Sequence, residues 1–71
     1  MEYLDKHDYL VKILLEEIEI DGKKFNLKED FEKFFIKGNL TAGRRVRRVM
    51  QEIKKISQDV RVDVQNYKTN I

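Results

Sequence analysis

From Lys37 to Lys68 the chain places apolar residues at Val46, Val49, Ile53, Ile56, Val60 and Tyr67, at spacings of three and four that repeat as a heptad and break once, at Asp63. Such a register calls for a long helix with one face built for packing. Running from about Leu40 to Tyr67 and capped by Asn39 or Thr41, it would be about 42 Å long at 1.5 Å per residue. With Val46 as heptad position a, Arg47, Lys54, Arg61 and Lys68 occupy b, Arg48 and Lys55 occupy c, and Arg44, Gln51, Gln58 and Gln65 occupy f. The opposite face is therefore a strip of cations and amides. Neither of the two shorter helices expected before it is long enough to cover the seam alone. Unless both stack end to end along it, part of the seam of Val46, Val49, Ile53, Ile56 and Val60 is accordingly expected to meet a second copy, giving a homodimer packed as a helical bundle with coiled-coil contacts.

Arg44, Arg45, Arg47 and Arg48 fall in the first two turns of this helix, where the macrodipole is already positive and basic side chains are mildly destabilising. Helix stability does not explain them, whereas an anion does, because free backbone N–H groups and guanidinium forks converge there. The charge distribution agrees. Met1 to Lys37 holds 7 Lys against 10 Asp and Glu, whereas Gly38 to Ile71 holds 8 Lys and Arg against 3 acids. The competing reading is a solvating surface, with Glu52, Asp59 and Asp63 forming local ion pairs with Arg48, Lys55 and the neighbours of Arg61.

At 71 residues the chain is expected to be one small all-α domain near the lower limit that a single core stabilises. It has no cysteine, proline or tryptophan, which excludes a disulfide scaffold, a cysteine-ligated zinc site and a thiol nucleophile. No apolar run approaches the ~20 residues that span a membrane, and a cytoplasmic protein without membrane partners is expected. Gly38 and Gly43 have the spacing of a phosphate loop, but Arg44 and Arg45 stand where Lys and Ser or Thr are required, and a helix precedes instead of a strand. Gly43 is better read as a place of close approach by the preceding helix or by a phosphate group. His7 has no metal-binding companions at suitable spacing. No catalytic residues, metal site or cofactor are expected, and the chain does not read as an enzyme.

In chain order, residues 1–21 form an acidic amphipathic segment whose helix runs from Tyr3 to Ile18 and buries Leu4, Val11, Leu14, Leu15 and Ile18. Two readings compete for residues 18–27. Alternating Ile18 and Ile20, Asp21-Gly22, then Phe25 and Leu27 suit a β-hairpin with a type I′ turn; alternatively, Gly22 closes the first helix. The helical reading is preferred, because a lone two-stranded hairpin is marginal and no third strand is evident. Asn26 with Glu29 resembles a capping box opening a helix over 26–37, whose Phe31, Phe34 and Phe35 share a core-facing side and which Gly38 ends.

The run from Asp30 to Gln65 resembles the small bacterial linker-histone-like proteins of the chlamydial type and their shorter relatives in bacteria and phages. The resemblance lies in Gly38-Asn39, Ala42-Gly43, Arg45-Val46-Arg47, Gln51-Glu52-Ile53-Lys54 and Val60-Arg61. It implies an α-helical, nucleoid-associated protein that binds DNA without strong sequence preference. Arg45, Arg47, Lys54 and Arg61 are the phosphate-contacting candidates it implies, and the helical projection adds Arg44, Arg48 and Lys55. Leu40 stands where the family usually has a lysine, and the lysine-rich tail of the chlamydial type is missing. The acidic segment from Met1 to Asp21 lies outside the resemblance and is free for a protein partner. The alternative function is a protein-interaction or assembly factor that docks its partner through the heptad seam.

Overall fold

The structure, a computed structural model, describes residues 2–70. Its elements are α1 (Glu2–Leu15), β1 (Glu17–Ile20), β2 (Lys23–Asn26), α2 (Leu27–Phe35) and α3 (Leu40–Asn70). Helix thus dominates, as expected, but residues 18–27 correct the expectation of a helix end. The first helix stops at Leu15, and β1 pairs antiparallel with β2 in the register Glu17 to Asn26 and Ile18 to Phe25. Asp21 and Gly22 carry φ of 51° and 78°, the two positive values that a type I′ turn requires. No third strand is needed, because helices cover the hairpin's apolar face. Ile18, Ile20 and Phe25 are buried in one cluster with Ile13, Leu27, Val46, Val49 and Ile56.

That cluster also reassigns the seam of α3. Val46, Val49 and Ile56 are buried within the chain's own core, and Ile53 and Val60 pack against it. The surface expected to meet a second copy is therefore occupied by α1 and the hairpin, the latter supplying cover that two helices alone could not. The buried side of α1 differs as well. Ile13 is fully buried, with Tyr9 and Leu10 beside it, whereas Leu4, Val11, Leu14 and Leu15 face water. Apolar residues almost encircle this helix, so composition alone does not select the packed face. Tertiary contacts do, including Lys6 Nζ at 2.6 Å from Asp63 Oδ2 near the far end of α3.

Local signals set the helix ends. The Asn26 side chain accepts the Glu29 N–H at 3.0 Å, and Glu29 and Asp30 lie in the first turn of α2, where the dipole favours acids. Gly38, at φ 70°, turns the chain out of α2, and nested bonds from Gly38 N–H to the Phe34 carbonyl and from Asn39 N–H to the Lys33 carbonyl satisfy two late carbonyls. Asn39 then caps α3, its side chain accepting the Ala42 N–H at 3.0 Å. Phe31 and Phe35, expected in the core, are exposed, whereas Phe34 lies against α3 at Gly43.

Phe34 lies over Gly43. A Cβ added there would sit 2.6 Å from Phe34 Cδ1 and 2.7 Å from Cε1, so the close approach of the two helices depends on the missing side chain. Replacing Gly43 by Ala gains about 1 kcal/mol of helix propensity, while overpacking costs about 1–3 kcal/mol. The expected result is a net loss of about 1 kcal/mol in urea denaturation, whereas the same replacement in an unobstructed helix would stabilise.

Candidate nucleic-acid interface

The four clustered arginines separate into two kinds. Arg45 turns inward: Nε donates to Asp30 Oδ2 at 3.1 Å, Nη2 donates to the Lys24 carbonyl, and the guanidinium lies 4.4 Å from the Phe25 ring centroid. Asp30 is buried, so this arginine compensates a carboxylate inside the fold and ties α3 to α2 and the hairpin. Arg48 reaches the hairpin turn, with Nη2 at 2.7 Å from Asp21 Oδ2 and Nη1 at 3.7 Å from Glu52. The Asp21 hydrogen bond, against a smaller lowering by desolvation, lifts its pKa further above the ordinary guanidinium range.

Arg44 and Arg47 point to solvent. With Lys54, Lys55, Arg61 and Lys68 they are exposed on the side of α3 away from the core, and none of these six forms an ion pair among the described residues. Gln51, Gln58 and Gln65, also exposed, lie between them at helical spacing. From Arg44 to Lys68 the stripe extends about 36 Å.

The acids of α3 lie along a flank. Glu52 faces Arg48, and Asp63 binds Lys6 of α1. The Arg48–Glu52 pair is one that the solvating-surface reading expected, while Asp63 turns to α1 and the exposed Asp59 forms no ion pair with the stripe among the described residues. On the same flank, burial first and the Glu52 charge second push the Tyr9 phenol above its ordinary pKa, with Arg48 acting in the opposite direction. Glu52 was expected from sequence as a local partner of Arg48, but Asp30 and Asp21, which engage Arg45 and Arg48 from α2 and the hairpin turn, were not. Asp30 had a detectable signal: with Leu27 and Phe34 it follows the spacing of the buried face of α2.

His7 is exposed and lies 3.2 Å from Asp8. No group of three His, Asp or Glu among the described residues could hold a metal ion, and no described helix is long and apolar enough to cross a membrane.

A family model described as histone H1-like protein Hc1 matches residues 19–70. The chain belongs to that family. The Hc1 match agrees with the chlamydial-type resemblance and extends it, since it begins within β1 and takes in most of the hairpin as well as α2 and α3. Helix α1 lies outside the Hc1 match. Comparison with curated proteins and with solved structures finds no match.

Proposed function

We propose that the chain is a histone-like architectural protein of the nucleoid, binding duplex DNA with little sequence preference by laying the outer face of α3 along phosphates. The observation that carries this reading is the stripe of Arg44, Arg47, Lys54, Lys55, Arg61 and Lys68, exposed and without ion-pair partners among the described residues, while the acids of the same helix lie to one side. Histone H1-like membership supports it. Cationic side chains at several heights along one straight helix neutralise phosphates and release condensed counterions, and they carry no base-reading geometry. Arg45 and Arg48 act differently, fixing the hairpin and α2 against α3 so that the stripe is presented on a rigid body.

Titration of two unrelated duplexes of equal length across a salt series tests this. Each phosphate contact contributes about −0.9 to the slope of log K against log salt, so half to all of the six cations give a slope of about −3 to −5. The two duplexes should bind almost alike. A slope near zero, or a strong preference for one duplex, would overturn the reading.

A second reading, protein contact, rests on α1. Leu4, Val11, Leu14 and Leu15 are exposed at near-heptad spacing, on a helix outside the family match. A second copy or another protein would pack there, leaving the occupied seam of α3 undisturbed. Light scattering at micromolar concentration, with Val11→Asp for comparison, separates the two occupants.

A further inference from the structure

Residues 33–51 contain no carboxylate and six Lys and Arg, of which Lys33, Arg45 and Arg48 pair with Glu29, Asp30 and Asp21, and Lys37, Arg44 and Arg47 form no ion pair among the described residues. In the middle of this cationic stretch, the turn from α2 into α3 leaves three large apolar side chains in water: Phe35 is 68% exposed, Ile36 78% and Leu40 70%. Single exposed apolar residues are ordinary, but three within six residues at one tight turn make a concentrated patch. The patch continues into the stripe. Leu40, Arg44, Arg47 and Gln51 follow one another at helical spacings of four, three and four, so Leu40 occupies the stripe's first position.

The mount beneath the patch is firm. Gly38 and Asn39 N–H groups bond back to Phe34 and Lys33 carbonyls. Phe35 meets the Phe34 ring edge-on at 4.8 Å between centroids, and Phe34 in turn lies over Gly43. An apolar point on a fixed corner, next to Lys37 in sequence and leading through Arg44 and Arg47 into a straight cationic edge, is complementary to a polyanion whose interior is apolar. Stacked bases behind two rows of phosphates have that character.

We propose that Phe35, Ile36 and Leu40 form a wedge that enters a base step of duplex DNA at one end of the α3 stripe and bends the duplex. This rests on the DNA-binding reading above. Inserted Phe, Leu or Ile side chains partly unstack a step and kink DNA by about 20–90°. The cations of α3 hold the phosphates to one side of the kink, so the unstacking cost is offset by contacts that a straight duplex does not offer. The wedge touches base faces and not hydrogen-bonding edges, and its preference is limited to easily kinked pyrimidine–purine steps. An anionic bilayer also accepts apolar points among cations, but a narrow stripe of about 36 Å suits a rod better than a plane.

Ligase-catalysed circularisation of a duplex shorter than its persistence length of ~150 bp reads bending directly. Two variants are compared with the unaltered chain, with circular dichroism monitoring the fold: Phe35→Ala with Ile36→Ala and Leu40→Ala, and the single change Leu40→Lys. The unaltered chain should accelerate ring closure. The triple variant should keep its salt slope and lose about tenfold or more of that acceleration. Leu40→Lys should steepen the slope by about one unit while still closing rings more slowly. Should the triple variant lose helicity, Leu40→Lys alone decides.

Unaltered ring closure in either folded variant overturns the wedge, as does binding of DNA by the unaltered chain without any acceleration. Loss of binding to phosphatidylglycerol vesicles in the triple variant, with ring closure retained, assigns the corner to a bilayer and also overturns it. Absence of DNA binding in the salt titration removes the underlying reading, a failure visible before any ring is closed.

Discussion

Val49→Asp unfolds the chain and does not merely separate two copies. Val49 is fully buried, in one apolar cluster with Ile13, Ile18, Phe25 and Ile56. Losing the apolar side chain costs about 1.5–3 kcal/mol, and burying an uncompensated charge adds several kcal/mol more. A domain of this size has a total stability of about 4–10 kcal/mol, at roughly 0.05–0.15 kcal/mol per residue. The helical circular dichroism signal should therefore be largely lost at room temperature. Met50→Asp is the control: that neighbour is exposed, and surface changes stay within about 0.5 kcal/mol. A Val49→Asp protein that stays helical while its mass falls by half would restore the seam of α3 as an interface between copies.

Neighbouring arginines should fail in opposite ways. Arg45→Gln removes the bond to buried Asp30, the bond to the Lys24 carbonyl and the stacking on Phe25. Breaking a buried pair costs about 3–5 kcal/mol, and because the Arg45 side chain is 34% exposed the figure is reduced to about 2–3 kcal/mol. At about 4–8 °C per kcal/mol for a small domain, the midpoint of thermal unfolding should fall by about 10–20 °C. Below that midpoint the salt slope of DNA binding should hardly change. Arg47→Gln should leave the midpoint within a few degrees and flatten the slope by about 0.9. Lys does not replace Arg45, since an ammonium cannot span the carboxylate and the carbonyl as a planar fork does. Equal slope losses in the two variants would place Arg45 on the DNA side of the molecule.

This contrast shows how far the sequence could be read. An anion was required by four arginines set against a helix dipole, and the structure provides one for two of them from within the chain, Asp30 and Asp21, which lie 15 and 27 residues away from Arg45 and Arg48. Local spacing cannot reveal such partners. It could reveal caps and stops: Asn26, Gly38 and Asn39 act as their positions imply, because a cap is decided within four residues. The residues of the α3 seam were also legible, as a face; what covers them was not. For 18–27, the absence of a third strand weighed too heavily, since Ile13 and Val49 supply from helices the apolar partner that a strand would have supplied. On α1 the periodicity admits more than one face, and the choice falls to Lys6, Tyr9, Leu10 and Ile13 only once α3 lies alongside. Phe31 and Phe35 lie at 5.4 Å between ring centroids, so aromatic clustering persists there without burial.

The ion pair from Lys6 to Asp63 gives the molecule a head and a tail. It holds the start of α1 beside the late turns of α3, while the turn at Leu40 lies at the other end of that helix, about 35 Å from Asp63 along its axis. The chain contains no cysteine, so a thiol introduced near Lys6 or near Thr69 labels the tail alone, and one introduced at Lys37 labels the head alone. A strand-cleaving probe on each in turn would map where the two poles fall along a duplex, and so reveal the direction in which the protein points when it lies down on DNA.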